Sequence, residues 1–139
     1  MQKSRISFRL IQSAFVLLIL LAFSACRKDA DNWVGTYDGQ AGQYIQRVLI
    51  NKVDNKTLKV ELQTVISSVY ITYATIQAAK LVSATEASVD EEGQIAGDPA
   101  IYRFKATLKL SSKNLTISGS ATDKNNPSNV KPYYFTGSK

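Results

Sequence analysis

From Trp33 onward the chain is written in two-residue alternation, the period of a β-strand. Between Thr57 and Val65, the residues Leu58, Val60 and Leu62 fall on one face and Lys59, Glu61 and Gln63 on the other. Tyr102, Phe104, Ala106, Leu108 and Leu110 likewise oppose Arg103, Lys105, Thr107 and Lys109. A third run sets Leu115, Ile117, Gly119 and Ala121 against Thr116, Ser118, Ser120 and Thr122. Such one-sided patterns predict an all-β, antiparallel sheet with one buried and one wet face. Polar breaks at Asp54-Asn55-Lys56, which ends a strand over Gln43–Val53, and at Ser111–Asn114 are short enough for hairpins. A longer polar loop, Asp123 to Pro132, precedes a final strand around Tyr133–Thr136. Strands joined in this succession form a meander, and a meander of about eight strands hides its edges most simply by closing into a barrel.

The pattern is weaker over residues 66–100. Val69 to Lys80 reads as a strand, with Val69, Ile71 and Tyr73 opposing Tyr70, Thr72 and Ala74. Lys80–Asp90 reads as further strand, although Ser83 and Glu86 have the spacing of a helix capping box. Glu92-Gly93-Gln94 and Gly97-Asp98-Pro99 both read as turns.

Ahead of the alternating region lies a different pattern. Lys3, Arg5 and Arg9 precede ten unbroken apolar residues, Ala14 to Phe23. A secretory signal needs about 7–15 apolar residues and a spanning helix about 20, so this stretch predicts a signal peptide. Phe23-Ser24-Ala25-Cys26 resembles the lipobox of bacterial lipoproteins, with Phe23 standing where that motif usually has Leu. The resemblance implies that Cys26 is the lipidation site: its thiol takes a diacylglyceryl group and its freed amine is then acylated. Each buried methylene is worth about 0.8 kcal/mol, so two or three chains would hold the protein stably at a membrane. The rival reading is an ordinary signal peptide cut near Ala25.

The expected organisation is a lipoprotein signal peptide over 1–25, the acylated cysteine with a polar tether over 26–32, and one domain over 33–139. The tether's Lys28-Asp29-Ala30-Asp31 faintly resembles the acidic export tags of surface lipoproteins in Bacteroidota; the alternative is a solvated linker.

Composition narrows the chemistry. Without residues 1–25 the 139-residue chain keeps 114, suited to a single core. Three of the 17 basic residues lie in the leader, leaving 14 against 11 acidic ones, a modest excess with no arginine-rich patch. Nucleic acid is therefore not an expected partner. The chain has no histidine, and the lipidation reading uses its single cysteine. Disulfides, Cys/His zinc sites and His- or Cys-based catalysis drop out, and neither a cofactor nor an enzymatic activity is expected.

Trp33-Val34-Gly35-Thr36-Tyr37-Asp38-Gly39 opens the alternating region and Tyr134-Phe135-Thr136-Gly137 closes it. This layout resembles the calycin-like β-barrel domain of small Bacteroidota lipoproteins and, more distantly, the Gly-x-Trp opening of lipocalins, although here Trp33 precedes Gly35. The resemblance implies a calycin-like barrel and, loosely, a habit of holding small apolar molecules inside it. It carries no catalytic set.

Candidate site residues follow from the aromatic positions. Tyr44, Tyr70, Tyr73, Tyr102, Phe104, Tyr133 and Phe135 could line an apolar cavity, Tyr73, Tyr102, Phe104 and Phe135 foremost, or could simply be core. Small residues at Ala106, Gly119 and Ala121 would leave room, since an eight-stranded barrel is just wide enough to be filled or to hold one small ligand. Trp33 and Tyr37, with Gly35 between them, are expected to close the barrel bottom by packing. Asp90-Glu91-Glu92 and Asp98 form the acidic cluster, read as a solvated turn without calcium-loop spacing. The expected protein is thus a lipid-anchored, outer-membrane barrel that binds a small hydrophobic ligand. The alternative is an interaction or inhibitor module that uses loops or the outer face.

Overall fold

The structure is a computed structural model that describes residues 29–139. The expected signal peptide and the lipidation expected at Cys26 lie outside the described residues. A single turn of helix, α1 (Asp29–Trp33), leads into eight strands: β1 (Gly35–Ala41), β2 (Tyr44–Asp54), β3 (Thr57–Ile66), β4 (Val69–Ser83), β5 (Glu86–Gln94), β6 (Ile101–Ser111), β7 (Asn114–Asp123) and β8 (Val130–Ser138). They form a closed, antiparallel barrel in sequence order, the expected meander.

The alternation of the sequence becomes the inside and outside of the barrel. Val48 and Ile50 on β2, Leu58 and Val60 on β3, Leu108 and Leu110 on β6, and Leu115 and Ile117 on β7 are buried, while the residues between them, such as Leu49, Lys59, Lys109 and Thr116, are half-buried or exposed. Cross-strand register holds these layers together, with Ile50 opposite Val60 and Leu108 opposite Ile117. Full burial of such side chains stabilises the fold by about 1.5–3 kcal/mol each.

Closure depends on a narrow seam. β1 and β8 pair only through Asp38↔Ser138, Gly39↔Gly137 and Gln40↔Thr136. Two glycines meet there because the backbones approach too closely for a side chain: a Cβ at 39 would collide with the Thr136 carbonyl oxygen. One at 137 would meet the Phe135 ring at 2.5 Å.

One end is sealed from below. Ala30 and Trp33, three residues apart on one face of α1, are both buried. The Trp33 indole Nε1 donates to the Ala84 carbonyl oxygen at 3.0 Å, and the Tyr37 hydroxyl donates to the Trp33 carbonyl oxygen at 2.8 Å. Lys139 Nζ donates to the carbonyl oxygens of Asn32 and Val34, fastening the plug from the other side. The segment expected to be tether therefore begins the fold at Asp29. Every strand is paired on both sides and the plug lies within residues 29–33, so residues 29–139 hold a complete, self-contained core.

Two expectations for residues 66–100 are corrected. Glu92-Gly93-Gln94 is strand, the last part of β5, and the Ser83–Glu86 capping pattern falls at the β4–β5 turn. Lys80–Asp90 is not one strand: it is cut by that turn into the end of β4 and the start of β5. Gly97-Asp98-Pro99 does lie in the β5–β6 connection.

Candidate functional site

The barrel is filled only at its plugged end. Toward the other end, small side chains replace large ones on the inner face: Ala106 on β6, Gly119 and Ala121 on β7, Ala74 on β4. They leave a cavity of about 830 Å³ whose apolar wall includes Leu62, Ile76, Phe104 and Ile117. Its mouth is formed by the β1–β2 turn at Gly42 and Gln43, by exposed Tyr44, and by β8 from Lys131 to Tyr134. Because β1 pairs with β8 only as far as Gln40↔Thr136, the Val130–Phe135 part of β8 runs on without β1 beside it. Pro132, which has no N–H to offer a neighbour, sits in that stretch.

Within the apolar wall stands one polar cluster. Gln46 lies on β2 at the inward parity of Val48 and Ile50, and is 9% exposed. Its Oε1 accepts hydrogen bonds from the hydroxyls of Tyr73 (3.0 Å) and Tyr133 (2.8 Å). Burial pushes both tyrosine pKa values up, so both rings stay protonated and neutral. Tyr73 reaches this position through an irregularity in the β3–β4 register between Leu62 and Gln63, which lets Tyr73 and Ala74 both line the cavity. Strict alternation would have grouped Tyr73 with Ile71 and Val69, which are exposed.

A second cluster sits at the rim. The Asp98 carboxylate accepts from Lys131 Nζ and the Tyr102 hydroxyl, each at 2.7 Å, and from the Ala100 amide at 3.0 Å. Lys131, followed by Tyr102, holds the Asp98 carboxyl well below the usual carboxylate range. Lys131 Nζ also lies 4.5 Å from the Tyr102 ring centroid, a cation–π contact.

The four aromatic candidates therefore separate. Tyr73 and Phe104 line the cavity, whereas Tyr102 and Phe135 are fully buried and do not. Gly93 makes the space Phe104 uses: a Cβ there would sit 2.6 Å from its ring. Tyr133, from the wider set of aromatics, lines the cavity as well, whereas nothing in the aromatic pattern points to Gln46; its signal is a glutamine at an inward position of an otherwise apolar strand face.

Of the acidic residues, Asp90, Glu91 and Glu92 are strand residues on β5 rather than a turn, and Asp98 lies in the β5–β6 connection. Asp90 forms a two-bond pair with Arg103 (2.7 and 3.0 Å), and Glu92 pairs with Lys124 at 2.8 Å. Glu91 has a structural use. Regular β4–β5 pairing ends at Lys80↔Ser88, leaving a single bridge at Ala74↔Ile95, and the Glu91 carboxylate accepts from the amides of Gln77 (2.6 Å) and Ala78 (2.9 Å) in between. Among the described residues, no group of three His, Cys, Asp or Glu side chains is placed to hold a metal ion.

No family model matches the chain, and no curated protein matches it. A solved structure described as a redesigned beta barrel is similar over 81% of this chain and 96% of its own, with 16% identity and a TM-score of 0.54. At that identity the likeness speaks for architecture alone, and the architecture it shares is the closed, eight-stranded antiparallel barrel.

Proposed function

We propose that this chain is a calycin-like binding protein that holds a small apolar ligand in the open half of its barrel. One observation carries the reading: a cavity of about 830 Å³ with mostly apolar walls, open at one end and closed at the other by α1. Ligand sites of drug-sized molecules occupy about 300–1,000 Å³, with apolar walls and a few polar groups. A barrel needed only as a scaffold would gain stability by filling that space, since each missing contact costs dispersion energy. With Cys26 acylated after signal cleavage, the protein would work at the outer membrane as a lipoprotein.

Two experiments test this. Native mass spectrometry of residues 29–139 after exposure to a cell extract should show a co-purified small molecule; uptake of no small molecule, including added neutral apolar probes, would sink it. For the anchor, Cys26→Ser should abolish palmitate labelling and membrane retention, and labelling that survives would refute lipidation at Cys26.

A second reading has its own observation. Ile66 and Val69, paired across the β3–β4 turn, and nearby Ile71 and Tyr44 are apolar and exposed around the mouth. Exposed apolar surface of this kind favours a protein partner. A stable protein complex forming with an empty barrel would select it.

A further inference from the structure

Resting on the ligand-binding reading, we infer that the cavity selects neutral amphiphiles, apolar molecules carrying a single uncharged hydrogen-bond acceptor such as a ketone, ester or amide, and that Gln46 Nε2 is the group that reads the acceptor. Both lone pairs of the Gln46 carbonyl oxygen are taken by Tyr73 and Tyr133. That arrangement fixes the amide plane and turns Nε2 away from the tyrosines.

Nε2 has no hydrogen-bond partner among the described residues, yet no buried side-chain nitrogen or oxygen there lacks one. The amide nitrogen must therefore keep some accessible surface. Gln46 is nine-tenths buried and lines the cavity, so that surface is the cavity's own. A donor held in an apolar chamber is costly to leave unsatisfied, and a ligand acceptor placed against it removes the cost.

Charge decides the rest of the ligand's chemistry. Lys131 is the charged residue among those lining the cavity, and its ammonium is already held 2.7 Å from Asp98 at the rim. The rest of the wall is uncharged: on β3, β4, β7 and β8 it is made by residues such as Leu62, Tyr73, Ala74, Ile117 and Tyr133, of which Tyr73 and Tyr133 touch Gln46. A carboxylate carried to that depth would be desolvated without a counter-charge, which costs far more than burying a carbonyl. The cavity therefore favours a carbonyl over a carboxylate on the same chain.

Octane, 2-octanone and octanoate, titrated at pH 8 as competitors of the neutral dye Nile red on residues 29–139, test this. 2-Octanone should bind at least about tenfold more tightly than octanoate. The triple variant Gln46→Met/Tyr73→Phe/Tyr133→Phe, which removes the amide without freeing a hydroxyl to donate in its place, should raise the ratio of the 2-octanone Kd to the octane Kd by about five- to tenfold, the worth of one hydrogen bond. Should it fail to fold, Gln46→Leu/Tyr73→Phe/Tyr133→Phe carries the same test, and the same rise is expected. Octanoate binding as tightly as 2-octanone, or an unchanged ratio in the folded variants, would overturn the inference while leaving apolar binding intact. No binding of octane or 2-octanone would instead remove the ligand reading beneath it.

Discussion

Ala106 and Gly119 face each other across β6 and β7 so closely that a Cβ at 119 would lie 2.5 Å from the Ala106 Cβ. The pair sets the girth of the cavity wall, and it is tight against the Lys105 carbonyl as well. Gly119→Ala should cost about 1–3 kcal/mol, because backbone rather than a flexible side chain must give way. Urea unfolding measures it; a neutral result would mean the two strands can separate freely at this level.

Ala121 lines the same cavity two residues further along β7. Ala121→Phe should therefore abolish Nile red binding while changing stability by less than about 1.5 kcal/mol. Retained dye binding in a folded variant would show that the dye sits elsewhere.

At the plug, Trp33 fills the end of the barrel and ties α1 to the β4–β5 turn. Trp33→Ala should destabilise the fold by about 3–5 kcal/mol, from lost burial plus the cavity left behind. Thermal unfolding followed by circular dichroism would read this directly.

The seam between β1 and β8, like the β4–β5 ladder, is held by only three register pairs. Gly137→Val would press on the Phe135 ring and the Asp38 carbonyl oxygen. Loss of hydrogen-exchange protection in β1 and β8, ahead of β6 and β7, is the expected outcome. Equal loss everywhere would mean that the seam opens only with global unfolding.

Alkaline pH should destabilise the protein through its buried phenols. Burial raises the Tyr37 pKa to about 12, against about 10 in an unfolded chain. A raised native pKa means that the unfolded state releases its proton first, so this contribution is whole below pH ~10 and is lost as pH climbs toward ~12. Tyr73 and Tyr133, raised for the same reason, add to it. Acid acts in the opposite sense through Asp98, whose carboxyl is lowered by Lys131 and Tyr102. Its contribution is present above about pH 4 and fades below, and Asp98→Asn should flatten the acid limb of a stability–pH curve.

Much of the barrel could be read before any coordinates because β3, β6 and β7 keep one face apolar without interruption. Burial of one face fixes their register, since a slip of one residue would turn Leu108 outward. The reading failed where pairing is not regular. Between Lys80 and Ala74 a glutamate side chain does the work of a neighbouring strand, which no periodicity announces. Tyr73 escaped alternation for a related reason, a shift in register that only the partner strand reveals. The aromatics were sought as ligand contacts because of their size, yet Tyr102 and Phe135 are enclosed by the body of the protein. α1 was hidden by its polar residues: Ala30 and Trp33 are buried, whereas Asp31 and Asn32 between them are exposed.

The plug also gives the molecule a direction. The chain enters the fold at Asp29, on the sealed side, and the hollow opens at the far pole. A protein moored by anything upstream of that point stands on its base like a cup. If the proposed anchoring and ligand binding hold, a guest molecule would enter and leave on the side away from the mooring.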